Sequence, residues 1–149
     1  MHVPWSPWWP IRPPRLPRDT HRPYSISRAG CRRRTALRTT GRTVAVFTGA
    51  STRGARMLLD AAGLTVDVLV GGDDVRRPEP AGDGVLLAAE RLGVAPGAVA
   101  YIGDSPLDLR AATAAGSIGA AAAWGHLYDA REPADHTLAR PAEALALLG

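Results

Sequence analysis

From about residue 36 onward, the sequence alternates between short apolar runs and segments with helical periodicity, and this alternation most constrains the fold. The runs are typical of buried parallel strands and lie at 44–47, 66–70, 99–102, 117–123 and, more briefly, 137–138. The helical segments lie at 51–62, 85–92, 106–115 and 141–148. Connections this short predict an α/β fold, a Rossmann-like parallel sheet with helices on both faces.

Residues 1–35 have a different composition, with seven prolines and no helical or strand period. Residues 1–42 contain ten arginines and one acid, whereas residues 43–149 contain eight arginines and thirteen acids. We therefore expect a disordered tail at 1–35 and a domain at 36–149. Arginine and tryptophan in the tail also fit binding to nucleic acid or an anionic membrane, but we favour a solvated tail without a specific partner.

Several classes of protein are disfavoured by what the 149 residues lack. The chain has no lysine, so a mechanism that needs a lysine ammonium is excluded for this chain acting alone. Cys31 is the only cysteine, so it forms neither an internal disulfide nor a cysteine cluster for metal. No apolar run reaches the roughly 20 residues of a membrane span, and prolines interrupt any secretory signal. We expect a cytoplasmic protein, and the sequence leaves its oligomeric state open.

Thr48 and Gly49 follow the first predicted strand and precede a helix. Ligands bind at the carboxyl ends of the strands in sheets of this kind. A hydroxyl and backbone N–H groups before a helix N-terminus can hold an anion the size of phosphate. The alternative is an ordinary strand-to-helix turn.

Asp104 follows the third predicted strand, and Asp108 lies four residues later in the first turn of a helix. Two carboxylates at a strand end can bind Mg²⁺, which prefers a few oxygen ligands together with water and substrate phosphate. The alternative is that Asp104 caps the helix and Asp108 is a solvated acid favoured by the helix dipole.

In their order and spacing, the Thr48 segment (46–49) and the Asp104 segment (101–108) resemble motifs of phosphatases of the haloacid-dehalogenase-like (HAD) superfamily. The resemblance covers roughly residues 36–149 and is greatest to the phosphoglycolate-phosphatase-like branch. It implies Mg²⁺-dependent hydrolysis of a small phosphorylated metabolite. By this resemblance Thr48 and Asp104 are catalytic, Thr48 and Gly49 bind phosphate, and Asp104 and Asp108 bind the metal.

The chain also departs from that family's pattern. The family's nucleophile is the first Asp of an Asp-x-Asp motif after an apolar strand, and the only acid before residue 60 is Asp19, which follows no such strand. Glu79 stands where the family has a lysine, and Arg77 replaces it only if the loop shifts by two residues. The nucleophile strand lies at the centre of the family's sheet, so we expect a gap there. We expect an N-terminally truncated or frame-altered relative that is inactive as this chain.

Two other functions fit parts of the sequence. The Thr48–Ser51 turn is also similar to that of short-chain dehydrogenases, but those enzymes need a lysine that this chain lacks. A degenerate HAD domain that senses phosphate or binds a protein, with a basic N-terminal tail, remains open.

Overall fold

A computed structural model gives the structure of the protein and describes residues 41–148. The predicted tail and the predicted domain boundary at residue 36 lie outside the described residues. Five strands, three α-helices and three 3-10 helices follow one another in the described part of the chain. The strands are β1 (Ala45–Phe47), β2 (Val68–Val70), β3 (Ala100–Gly103), β4 (Ile118–Ala122) and β5 (His136–Leu138). The α-helices are α1 (Thr52–Ala61), α2 (Asp83–Leu92) and α3 (Pro106–Ala115), and the 3-10 helices span Gly72–Asp74, Pro96–Ala98 and Pro141–Leu148.

The predicted α/β fold is confirmed, since helices cover parallel strands. One difference lies at the end of the chain, where the predicted last helix is a 3-10 helix. None of the helices within residues 41–148 is long and apolar enough to cross a membrane.

Local sequence signals set the ends of the helices. Ser51 caps α1, and its side chain accepts a hydrogen bond from the Gly54 N–H at 3.2 Å. Proline opens α3, where its missing N–H costs nothing. Helices α2 and α3 end at Gly93 and Gly116, both at φ 70°, a left-handed conformation that other residues adopt with strain.

All strand pairing in the described part of the chain is parallel, but it forms two sheets. Strands β1 and β2 make one sheet, with Ala45 opposite Val68. Strands β3, β4 and β5 make the other in that order, with Ala100 opposite Ile118. Within residues 41–148 no strand joins the two sheets.

Side chains rather than backbone hydrogen bonds hold the two sheets together. Phe47 of β1 and Tyr101 of β3 both pack against an apolar cluster that contains Val85 of α2 and Ala111 of α3. The rings of Phe47 and Tyr101 have their centroids 6.2 Å apart. Helix α2 therefore spans the boundary between the sheets, while α1 packs on the β1–β2 sheet through Ala55 and Leu59.

Candidate active site

Thr48 lies at the carboxyl end of β1 and is half-buried. Its N–H donates to the Val70 carbonyl at 3.1 Å, which extends the pairing of β1 with β2. Its hydroxyl oxygen accepts from the Ala50 N–H at 3.3 Å, so the turn is organised by the threonine itself. Gly49 is exposed, and its N–H makes no hydrogen bond within residues 41–148. That N–H is therefore a donor that an anion could use in this turn.

Asp73 occupies part of the anion site that the sequence predicted at the start of α1. Its carboxylate accepts from the Thr52 N–H at 2.7 Å and from the Thr52 hydroxyl at 2.8 Å. These hydrogen bonds, the backbone one first, lower the pKa of Asp73. The helix N-terminus is thus already partly satisfied by a carboxylate, which reduces the number of donors left for a phosphate.

Asp104 follows β3, and its carboxylate is not used to cap the next helix. The capping residue of α3 is Ser105, so the alternative role for Asp104 is wrong. The Asp104 side chain is 30% exposed, and its Oδ2 lies 3.7 Å from His126 Nδ1. Gly125 packs directly against Asp104, and a side chain at that position would collide with the carboxylate. Asp104 is therefore held in place while its carboxylate stays accessible.

Asp108 has a structural role in the first turn of α3. Its Oδ2 accepts from the Ser105 N–H at 2.9 Å, and its own N–H donates to Ser105 Oγ at 3.3 Å. This reciprocal pair is a capping box, so the Asp108 carboxylate is bonded within the helix cap and is not the solvated acid of the alternative. Gly103 permits the arrangement because a Cβ there would collide with the Asp108 side chain. A metal would share this carboxylate with the helix cap.

Glu79 comes from the loop after β2 and reaches the end of β3. Tyr101 donates its hydroxyl hydrogen to Glu79 Oε1 at 2.6 Å. Burial, and then the neighbouring Asp108 carboxylate, raise the pKa of Glu79, while the Tyr101 hydrogen bond acts in the opposite direction. Burial and Glu79 together raise the pKa of Tyr101 far enough to keep its hydroxyl protonated. Glu79, from the loop after β2, thus lies beside Asp108 in the first turn of the helix that follows β3.

A cavity of about 400 Å³ lies between β1 and β3. Asp104 and Asp108 line it together with Phe47, the residue before Thr48. The structure therefore brings the two predicted metal ligands to one cavity, and it places the predicted phosphate-binding turn at the end of the neighbouring strand. Within residues 41–148 no three His, Cys, Asp or Glu side chains group as a metal site, so this part of the chain supplies at most two carboxylates. The roles of Thr48, Gly49, Asp104 and Asp108 stay predictions.

Residues 19–116 match the family model for haloacid dehalogenase-like hydrolases, and this match covers more than half of the chain. The chain belongs to this family. The resemblance drawn from the two motifs is thereby confirmed at the level of the family.

Phosphoglycolate phosphatases are among the curated relatives of this haloacid dehalogenase-like hydrolase. The protein from Escherichia coli (strain K12) is 37% identical over 95 residues, which cover 62% of this chain and 38% of that protein. The one from Salmonella paratyphi A is 34% identical over the same share of each chain. The chain thus spans well under half the length of the curated relatives that it matches.

Solved structures of the family share the fold described above. A subfamily IA hydrolase from Geobacter sulfurreducens superposes with a TM-score of 0.70 at 26% identity, covering 80% of this chain and 54% of that one. CbbY from Rhodobacter sphaeroides, solved in complex with phosphate, gives a TM-score of 0.69 at 30% identity, covering 79% and 56%. A large part of each of these two solved chains therefore has no counterpart in the region that matches this chain.

The sequence reasoning missed two members of this site. Tyr101 lies in the third predicted strand, two positions before Gly103, and its hydroxyl is the one signal that could have marked it. Asp73 lies between predicted elements, and no local pattern links it to Thr52, 21 residues earlier, whose N–H donates to it at the start of α1. Both contacts join segments that only the folded chain brings together.

Proposed function

We propose that this chain carries the phosphate- and magnesium-binding part of a phosphoric monoester hydrolase similar to phosphoglycolate phosphatase. The observation that carries the proposal is the cavity between β1 and β3, which Asp104 and Asp108 line after the end of β3 in a chain of this family. We further propose a small phosphorylated metabolite as substrate, a cytoplasmic location, and no specific nucleic-acid or membrane partner.

The donor set fits Mg²⁺, which is usually held by one or two carboxylates while substrate phosphate and water complete its shell. Asp104 supplies an accessible carboxylate, and Asp108 supplies one that is shared with the helix cap. When bound, the ion neutralises phosphate charge and orients the phosphoryl oxygens. The Thr48 hydroxyl and the Gly49 N–H, in the turn that follows β1, act as donors to the phosphoryl oxygens.

We also propose that residues 1–149 alone do not turn over substrate. No Asp-x-Asp motif follows an apolar strand in the sequence, so the nucleophile is lacking. Glu79 places a carboxylate beside Asp108, where the family's lysine would attract phosphate. Two like charges about 4 Å apart at an effective dielectric near 20 repel by about 4 kcal/mol. An ionised Glu79 therefore weakens phosphate binding, and because its pKa is raised this effect grows as the pH rises.

Thermal unfolding with MgCl₂ and inorganic phosphate tests the binding part of this proposal. We expect the two together to raise the melting temperature of the wild-type chain, and Asp104→Asn to abolish the rise. Asp60→Asn, on the exposed end of α1, is the matched control and should respond as the wild type does. Equal rises in both variants would contradict the proposal. Hydrolysis of p-nitrophenyl phosphate by the wild type, lost in Asp104→Asn, would show that the expectation of inactivity is wrong.

The alternative function is a degenerate domain that senses phosphate or binds a protein. The carboxylate of Glu79 in place of lysine favours it, because phosphate would then bind without being activated. A nucleophile-bearing family segment joined before residue 36, combined with Glu79→Lys, separates the two functions. Turnover by that fusion supports the phosphatase, whereas phosphate binding without turnover supports the sensing domain.

A further inference from the structure

The loop that follows β2 lies directly against the turn that carries Thr48 and Gly49. The Gly72 N–H donates to the Ala50 carbonyl at 2.8 Å. A Cβ at Gly72 would collide with the Gly49 carbonyl oxygen, so this close approach of two backbone segments requires glycine. The Thr48 N–H also donates to the Val70 carbonyl at the end of β2. The position of the turn therefore depends on where the loop after β2 is held.

Asp74 ties that loop to two helices. Its Oδ2 accepts from the Gly71 N–H at 3.2 Å and from Arg91 Nη1, in the last turn of α2, at 3.1 Å. The same oxygen lies 3.1 Å from the hydroxyl of Thr52, the first residue of α1. The Gly71 N–H, followed by Arg91, lowers the pKa of Asp74, so the carboxylate is ionised at neutral pH. One carboxylate oxygen thus joins the loop, the start of α1 and the end of α2.

Arg91 connects this carboxylate to strand β2. Its Nη1 donates to the Leu69 carbonyl at 2.8 Å, and the same nitrogen donates to Asp74 Oδ2. Helix α2, which carries Arg91, is anchored in the core by Val85 and Ala89. The Arg91 side chain itself is 40% exposed, so its replacement removes these two hydrogen bonds without opening the core. The loop is therefore fixed to a packed helix through a side chain that the core does not need.

We propose that Arg91 and Asp74 are positioning residues for phosphate binding, which hold the loop after β2 against the Thr48–Gly49 turn and so fix the direction of its donors. The inference rests on the proposed function, because it assigns both residues to the phosphate-binding turn. Arg91 acts through Asp74, and Asp74 acts through the loop whose Gly72 contacts the turn. Both residues act on the geometry of the turn rather than on the phosphate itself.

Calorimetric titration of the full chain with inorganic phosphate, in saturating MgCl₂, tests the proposal. We expect Arg91→Met to weaken phosphate binding about tenfold, equivalent to about 1.4 kcal/mol, because a displaced turn makes poorer hydrogen bonds to a charged ligand. Arg91→Lys should restore most of the affinity, since both hydrogen bonds come from one nitrogen that an ammonium can replace. Arg76→Met, at an exposed position of the same loop, is the matched control and should bind phosphate as the wild type does.

The affinity for Mg²⁺ without phosphate separates positioning from a general loss of structure. It should stay unchanged in Arg91→Met, because Asp104 and Asp108 follow β3 and lie outside this loop. Equal losses of Mg²⁺ and phosphate affinity would indicate general destabilisation and would overturn the proposal.

Asp74→Ala separates positioning from charge. Removing a carboxylate near an anion would by itself strengthen phosphate binding, because like charges repel. Positioning predicts the opposite result, a loss of about tenfold as in Arg91→Met. Amide hydrogen exchange adds a measurement that needs no ligand. The Gly72 N–H should exchange about tenfold faster in Asp74→Ala and Arg91→Met, and at the wild-type rate in Arg91→Lys.

Unchanged phosphate affinity in Arg91→Met, or stronger binding in Asp74→Ala, would overturn the proposal. A wild type that binds no phosphate would contradict the proposed function, and exchange at Gly72 would still decide whether Arg91 holds the loop. Unchanged exchange would then overturn this inference as well. If Arg91→Met does not fold, Gly72→Ala displaces the turn directly through the collision with Gly49. Wild-type phosphate affinity in that variant would show that the loop does not position the turn.

Discussion

Replacing Tyr101 with phenylalanine tests the contact that distinguishes this site from the pattern of its family. The hydroxyl donates to Glu79 Oε1 at 2.6 Å, a charge-assisted hydrogen bond when Glu79 is ionised. Hydrogen bonds to charged groups contribute about 1.5–3 kcal/mol, so we expect Tyr101→Phe to lower the free energy of unfolding by about that amount at pH 8. Phenylalanine keeps the ring that packs near Phe47, so the loss comes from the hydroxyl.

The raised pKa of Glu79 sets the direction in which the free energy of unfolding changes with pH. Burial, followed by Asp108, raises the pKa of Glu79 above its ordinary value of 4.5, so the folded state binds this proton more tightly than the unfolded state does. The resulting stability is fully present below about pH 4.5 and is lost as the pH rises through the higher folded pKa. Glu79→Gln removes that loss, so relative to the wild type this variant should gain stability between pH 4 and pH 8.

Urea unfolding of Tyr101→Phe, Glu79→Gln and the double variant measures the coupling at both pH values. Charged hydrogen bonds exceed neutral ones by about 1 kcal/mol, so we expect the coupling to be close to zero at pH 4 and to rise toward about 1 kcal/mol as Glu79 ionises at higher pH. Tyr128→Phe is the control, because its hydroxyl has no hydrogen-bond partner within residues 41–148. Equal losses in Tyr101→Phe and Tyr128→Phe, or a coupling that does not change with pH, would refute the reasoning.

Three further perturbations have expected outcomes. Ser105→Ala should cost about 1 kcal/mol in urea unfolding because α3 loses its capping box with Asp108, and Ser105→Thr should restore most of it; no difference between the two would contradict the cap. Val70→Ala should cost about 1.5–3 kcal/mol, since Val70 is fully buried and two methyl groups are lost with a cavity left behind; a loss below about 0.5 kcal/mol would mean that the site collapses freely. By NMR titration, Asp129 should show a pKa of about 2, lowered by its hydrogen bonds with Arg131, and Arg131→Ala should return it toward 3.8; an unchanged value in the variant would exclude that cause.

The helices and strands were predictable because the signals that set them are local. Ser51, Pro106 and Gly116 lie within one residue of a helix end, and each acts on backbone groups of its own segment. The apolar runs likewise predicted every strand, and the paired segments differ from the runs by one or two residues at their ends, because pairing depends on a neighbouring strand as well as on apolar character. The family could be predicted from the sequence for the same reason, because its motifs are short and occur here in the family's order.

The site was predictable only in part. The sequence indicated Thr48 and Asp104 because each directly follows an apolar strand, and the structure does place both at strand ends. It did not indicate that Ser105 rather than Asp104 caps α3, since both residue types favour that position. Nor did it indicate the Asp73 carboxylate at the start of α1, which depends on how the loop after β2 folds back.

The sequence by itself determined the order of strands and helices, the family, the lack of lysine and the carboxylate at position 79. Tertiary structure decided that Glu79 meets Tyr101 across 22 residues and that Asp108 stands beside it. It also decided that β1 and β3 face one another across a cavity. The physical reason is the separation along the chain over which each effect acts. Capping and periodicity act within a few residues, whereas pKa shifts, cavities and open strand edges arise from groups that only packing brings together.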